Sequence, residues 1–292
     1  AVYIDSQAGN STFTMSGGEI HSCSATGKDA TKGHGGAVYL NGGRVQMTGG
    51  KIWNNYSVNG DGGAVYISNG NFFMQEGLPE ISDNSAQKGN GGGVFISSAG
   101  SEVQVNLLRG LITGNSANNY GGGVCVDMGA ASHVASVIVG EAGAENNTTP
   151  DISGNTAMLS GGGLYVRGAN ANITINGGNI KSNQVSAYVK NENVANEGGE
   201  VTLNAEHVTD FVTVTFNANG GYKKGASSVT EYEQKIVINT NSKLAENQFE
   251  QGGKNFVRWN NRPDGLGDIS YTDREKVNIS NSITLYAIWT DQ

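Results

Sequence analysis

Along the first two-thirds of the chain, apolar residues alternate with polar ones in short bursts. Val38-Tyr-Leu40 is followed by Val45-Gln-Met47 and then by Ile52. The bursts return as Val65/Ile67, Phe72/Met74 and Ile81, as Val94/Ile96, Val103/Val105 and Ile112, and as Val124/Val126, Val137/Val139 and Ile152. The copy from Leu164 adds Val166, Ile173/Ile175 and Ile180, and Phe13/Met15 belongs to the copy from Val2. Period-two alternation predicts strands with one buried face. No strand this short can bury that face alone, so the copies must stack on one another.

The phrase ahead of each first strand is GHGGAVYL, GDGGAVYI, GNGGGVFI, NYGGGVCV and LSGGGLYV, with a degraded copy GGEVTL aligned on Val201. Between Val38, Val65, Val94 and Val124 the steps are 27, 29 and 30 residues, and the longer steps elsewhere imply insertions. The glycines predict a tight corner, where φ is positive or backbones approach closely. Each third strand carries Ile-x-x-Asn, giving Asn55, Asn84, Asn115, Asn155 and Asn183, with Cys23 in the first copy. Stacked about 4.8 Å apart, such amides can bond up and down the column. The expected fold class is all-β: about six coils of three strands each, forming three parallel sheets around one core over residues 1–206.

Repeated Gly-Gly-Ala-Val with an x-x-Asn partner resembles the right-handed parallel β-helix of bacterial surface and autotransporter proteins, especially the polymorphic outer-membrane type. Ile stands here where that type carries Phe. The resemblance implies an adhesin or passenger stalk, and more distantly the polysaccharide lyases and hydrolases built on similar helices.

After His207 the phrase stops, and residues 207–292 form a separate module. HVTDFVTVTFNANGG and EYEQKIVINT predict two strands, LAENQFEQGG one or two turns of helix ending at Gly252, and ITLYAIWT a closing strand. VTFNANGG (Val214–Gly221), the Phe256/Trp259 pair, the Asp264-Gly265 turn and LYAIW (Leu285–Trp289) resemble the Listeria–Bacteroides repeat. Lys254 and Arg258 replace the Tyr and Gly usual in that motif. The resemblance implies a small β-grasp-like module in a secreted or wall-attached bacterial protein, and no chemistry.

Composition narrows the function classes. Gly is 45 of 292 residues and Pro only 3, which suits stacked corners and neither collagen nor a proline-rich linker. Residues 1–207 carry 9 Lys/Arg against 16 Asp/Glu, so −7 of the formal −8 lies in the repeats. That charge disfavours nucleic acid and an anionic membrane surface as partners, and no apolar run is long enough for a membrane span. The opening AVYID is the phrase without its glycines and reads as a cut inside a repeat. Cys23 and Cys125 stand far apart and exclude a Cys-x-x-Cys metal knuckle.

Chemistry-bearing residues are sparse, and the sequence assigns no catalytic residue, metal or cofactor. The column just after the first strand reads Asp5, Asn41, Ser68, Ser97, Asp127, Arg167. Its two acids lie about 19 Å apart at ~4.8 Å per coil, too far for a glycosidase pair. His21, His34, His133 and His207 fall in different segments of the repeat with no metal-ligand spacing. Asp264-Gly-Leu-Gly-Asp268 lacks the full calcium-loop series.

One pattern stands out. With Val38 and Leu40 inward, Tyr39 must point outward, and so must Tyr3, Tyr66, Phe95 and Tyr165, with Cys125 interrupting. An outward aromatic column can pack on sugar rings or on a protein partner; equally, its rings can stack only for stability. The insertion at 140–151 is a second candidate. The reading is a non-catalytic extracellular adhesin or rigid spacer, with a host or environmental glycan or surface protein as partner at Tyr39, Tyr66, Phe95 and Tyr165. The alternative, a polysaccharide lyase or glycoside hydrolase, requires an acidic pair or a basic–carboxylate group converging in a groove.

Overall fold

The computed structural model describes residues 1–5, 11–29, 33–98, 100–129, 131–142, 150–186, 193–203, 211–238 and 242–291. The chain divides into two compact units, Ala1–Asp210 and Phe211–Gln292. Among the described residues there is no helix.

The first unit is a parallel β-solenoid of about six turns. Its first strands stack in register, with Val2, Val38, Val65, Val94, Val124 and Leu164 paired from coil to coil. The next partner in that column is Val194, and Val201 instead pairs with Ile173 in the second-strand column. The paired glycine ahead of Val201 imitates the repeated corner, but Asn193 holds the corner position here, its carbonyl accepting from Leu164 N. The second strands stack Phe13, Val45, Phe72, Val105, Val137 and Ile173. In the fourth coil the core pair is therefore Val105/Leu107, two residues beyond the expected Val103/Val105, because Val103 pairs with Gly70. Ile20, Ile52, Ile81, Ile112, Ile152 and Ile180 form the third column. A fourth column of two-residue strands follows it, from Ser24–Ala25 to Gln184–Val185.

Val38, Leu40, Val45, Met47 and Ile52 and their counterparts above are fully buried. Each contributes about 1.5–3 kcal/mol by leaving water. The corner ahead of each first strand uses its two glycines differently. Gly62 has φ of 69°, in the left-handed region. Gly63 has an ordinary φ, yet a Cβ there would sit 2.2 Å from the Gly92 carbonyl oxygen. One glycine turns the chain; the other lets the next coil touch it.

The asparagines form the expected ladder, and its geometry is forked. Asn55 N and Nδ2 both donate to Asn84 Oδ1, at 2.9 and 3.0 Å, and the motif repeats through Asn115, Asn155 and Asn183. Asn193 Oδ1 accepts the last fork, and Cys23 N enters at the other end by donating to Asn55 Oδ1.

The second unit is a mixed five-stranded sheet. Phe211–Asn217 pairs antiparallel with Glu231–Val237 and parallel with Ile283–Asp291, which pairs antiparallel with Lys254–Asn260 and through it reaches Ser270–Tyr271. The helical turns expected over 244–252 are absent: Ser242–Lys243 and Phe249–Glu250 are short strands joined by extended chain. Leu244 and Phe249 are both buried in the core with Phe216, Trp259 and Leu285. Side chains replace the helical bonds: Ala245 N donates to Gln234 Oε1 and Phe249 N to Asn247 Oδ1. Tertiary burial overrides the weak local helix preference of this segment.

Candidate functional site

The aromatic column exists, and the structure divides it. Tyr3, Tyr39, Tyr66 and Phe95 stack face to face, with ring centroids 5.1, 5.1 and 5.3 Å apart, close to the spacing of the coils. Tyr3 is 67% exposed, and Tyr39 and Tyr66 are partly exposed. Phe95 is only 5% exposed and Tyr165 1%. The expectation that all four carry an open face is corrected at these two positions. Tyr120, from the corner of the preceding coil, stacks on Tyr165 at 4.4 Å. Phe95, Cys125, Tyr165 and Ala195 thereby form a small satellite core outside the main one. Burial, followed by the nearby Glu197 carboxylate, pushes the Tyr165 hydroxyl pKa far up, and burial does the same to the Cys125 thiol. Neither group is poised to react.

The covering residues come from a position the sequence reading passed over. It is the variable residue between the glycines of the repeated phrase: His34, Asp61, Asn90 and Tyr120. These residues form a second ladder. Asp61 N donates to His34 Nδ1 at 2.9 Å, Asn90 N and Nδ2 donate to Asp61 Oδ1 at 2.8 Å, and Tyr120 N donates to Asn90 Oδ1 at 3.3 Å. The His34 ring also stacks on Tyr66 at 4.2 Å. The detectable signal was a polar or aromatic residue recurring at coil spacing in a sequence context otherwise fixed as glycine.

Where this ladder meets the aromatic column the surface opens into a groove of about 620 Å³. Tyr66 and Phe95 line it beside His34, Asp61, Ser97, Ser98 and Asp127. Its two carboxylates differ. Arg167 donates to both oxygens of Asp127, with Nε 2.8 Å from Oδ1, and Gly129 N also donates to Oδ1. Among the described residues Asp61 has no Lys or Arg partner of this kind, and the His34 ring is its nearest basic neighbour. Burial pushes its carboxyl above the ordinary range; the Asn90 hydrogen bonds and His34 oppose that, and the Asp127 charge adds to it. Because His34 Nδ1 accepts the Asp61 N–H, its neutral ring carries the proton on Nε2.

In the column after the first strand a register shift pairs Asn41 with Asn69, so Ser68 is buried, while Asp127 lies beside Arg167. Asp264 and Asp268 do not converge as ligands: Asp264 accepts from Leu266 N and Arg262, and Asp268 from Asn261. His21 stacks on Trp53 at 5.0 Å, and His133 lies beside Ser132. Among the described residues no group of three or more His, Cys, Asp or Glu could hold a metal. His207 and most of the 140–151 insertion lie outside the described residues.

Residues 213–288 match the Listeria-Bacteroides repeat domain family. Such repeats occur in surface and extracellular bacterial proteins. No curated protein and no solved structure matches the chain. No helix among the described residues is long and apolar enough to cross a membrane.

Proposed function

We propose that this chain is a non-catalytic, wall- or surface-attached bacterial adhesin whose solenoid presents a carbohydrate-binding face. The observation that carries the reading is the juxtaposition of the partly exposed Tyr39/Tyr66 stack with the groove beside it. Stacked rings offer the flat apolar face that the C–H side of a pyranose prefers, and the groove adds acceptors for its hydroxyls. Tyr39 and Tyr66 form the platform, Phe95 closes its upper end, and Tyr165 supports it from the satellite core. The Listeria–Bacteroides repeat at 213–288 supports extracellular presentation, and the acidic repeats favour a glycan or protein partner over nucleic acid or membrane. The adhesin-type repeats named above share this stalk design.

The test is binding of the purified chain to a broad glycan array beside a Tyr39→Ala/Tyr66→Ala variant. Selective binding that disappears in a folded variant supports the reading; no binding by the intact chain sinks it for the glycans tested.

A second reading has one specific observation in its favour. Asp61, with a raised pKa, and Asp127, bonded through both oxygens to Arg167, line the same groove, and two carboxylates in contrasting environments are the usual acid and base of glycoside hydrolysis. Release of reducing ends from a polysaccharide panel, abolished by Asp61→Asn, would replace the adhesin reading with a hydrolase.

A further inference from the structure

The carboxylates and serines in the groove differ in what they still need. Asp127 has both oxygens committed to Arg167 and Gly129. Ser98 donates to Ser101 O and Ser97 to Ile67 O. Asp61 is the exception. Its Oδ1 takes both donors of Asn90, and its Oδ2 makes no hydrogen bond among the described residues. The nearest cationic candidate for Oδ2 is His34 Nδ1 at 3.7 Å. That nitrogen already accepts the Asp61 N–H, so the neutral ring has no proton there to give. The Asp61 side chain is 20% exposed and lines the groove.

Resting on the carbohydrate reading above, we propose that this groove takes an unacetylated amino-sugar residue, with its ammonium on Asp61 Oδ2 and its ring against Tyr66. A half-buried carboxylate oxygen lacking a donor is satisfied best by a cation carrying N–H groups, through a charge-assisted hydrogen bond. The same cation lies beside an aromatic ring, which adds cation–π attraction. No Lys or Arg lines the groove, and its surroundings are acidic, so a uronate or sialate carboxylate is repelled. An acetylated amine keeps one donor and loses the charge. A neutral hexose offers only hydroxyls.

The experiment is calorimetric titration of the full chain with three probes: a glucosamine oligomer, its N-acetylated counterpart and a galacturonate oligomer. The expected result is about tenfold tighter binding of the glucosamine oligomer than of the acetylated one, and none of the galacturonate. Asp61→Asn, which keeps an amide oxygen for Asn90, is expected to bring the first two probes level. Glu102→Gln, at an exposed acid in no part of the groove, is expected to leave the preference intact; an equal loss there would reduce the effect to bulk charge and overturn the proposal. Equal binding of amine and acetylated oligomers by the unaltered chain also overturns it, while leaving carbohydrate binding standing. If no oligomer binds and the glycan array is silent too, both readings fall.

Discussion

Asn115 Oδ1 accepts two hydrogen bonds from one residue, Asn84, at 3.0 Å from the backbone N and 2.9 Å from Nδ2. The amide therefore caps the backbone of the coil before it while its own N and Nδ2 bond to Asn155 Oδ1. Both partners are fully buried, so these bonds have no competing water. Each coil is tied to the next by its side chain as well as by its strands.

Removing one rung should be expensive on both sides. Asn115→Ala leaves Asn84 N without its acceptor and removes the Asn84 Nδ2 and Asn115 Nδ2 bonds of that step. Asn84 Nδ2 keeps Ile52 O and Ser82 O, and Asn155 Oδ1 keeps the backbone N of residue 115, so one buried orphan costing about 1–3 kcal/mol adds to the lost bonds. A loss of about 2–4 kcal/mol in urea unfolding is expected. A change below about 1 kcal/mol would mean that the ladder is ornamental.

The two corner glycines should fail differently from other glycines. Gly63→Ala puts a Cβ 2.2 Å from a backbone oxygen that cannot move without shifting the next coil, so sharply reduced stability or failure to fold is expected. Gly17→Ala has nothing within 4 Å and an ordinary φ, and its melting temperature is expected to stay near the unaltered value. Circular dichroism melts of the two variants decide the point; equal melting temperatures would remove the close-approach argument.

Asp61 should make stability depend on pH in a definite sense. Burial raises its folded pKa above the unfolded value. The folded state then binds the proton more tightly, so the penalty is absent below the unfolded pKa. It grows as pH rises between the two values and is complete above the folded one. Asp61→Asn is thus expected to melt higher than the unaltered chain at neutral pH, with the gap closing on acidification. A gap that widens at low pH contradicts the direction.

The two thiols should be separable by reagent. Both cysteines are free; Cys23 is partly exposed and Cys125 buried. Burial also raises the Cys125 pKa, so it forms little thiolate. A thiol-reactive dye is expected to label one cysteine in the native chain and two in denaturant, with mass mapping to Cys23 first. Fast native labelling of Cys125 would show that the satellite core opens.

Much of this was written in local pattern. Alternation placed the three core columns, and the spacing of Ile52, Ile81 and Ile112 set their phase. Asn55 through Asn183 announced the ladder, because identical residues at coil spacing have one geometry available to them. Register slipped where the local signal was ambiguous. Val103, Val105 and Leu107 all alternate, so only pairing with Gly70, Phe72 and Met74 chooses among them. The glycines before Val201 imitate a corner that Asn193 supplies instead. The segment from Leu244 to Phe249 departs from its local preference because burial beside Trp259, not propensity, sets its structure.

Sequence alone determined which face of each strand turns inward, since a period of two leaves only two choices and the apolar residues occupy one of them. It could not determine what lies over the other face. Tyr39 and Tyr165 have equivalent positions in their coils, yet one is partly open and the other sealed, because Tyr120, forty-five residues before Tyr165, stacks on it. The Asp61 groove likewise joins residues from coils that are neighbours only after stacking. Periodicity is a property of one strand, whereas exposure and a binding groove are properties of several, and the tertiary structure decides them by bringing distant corners over the same column.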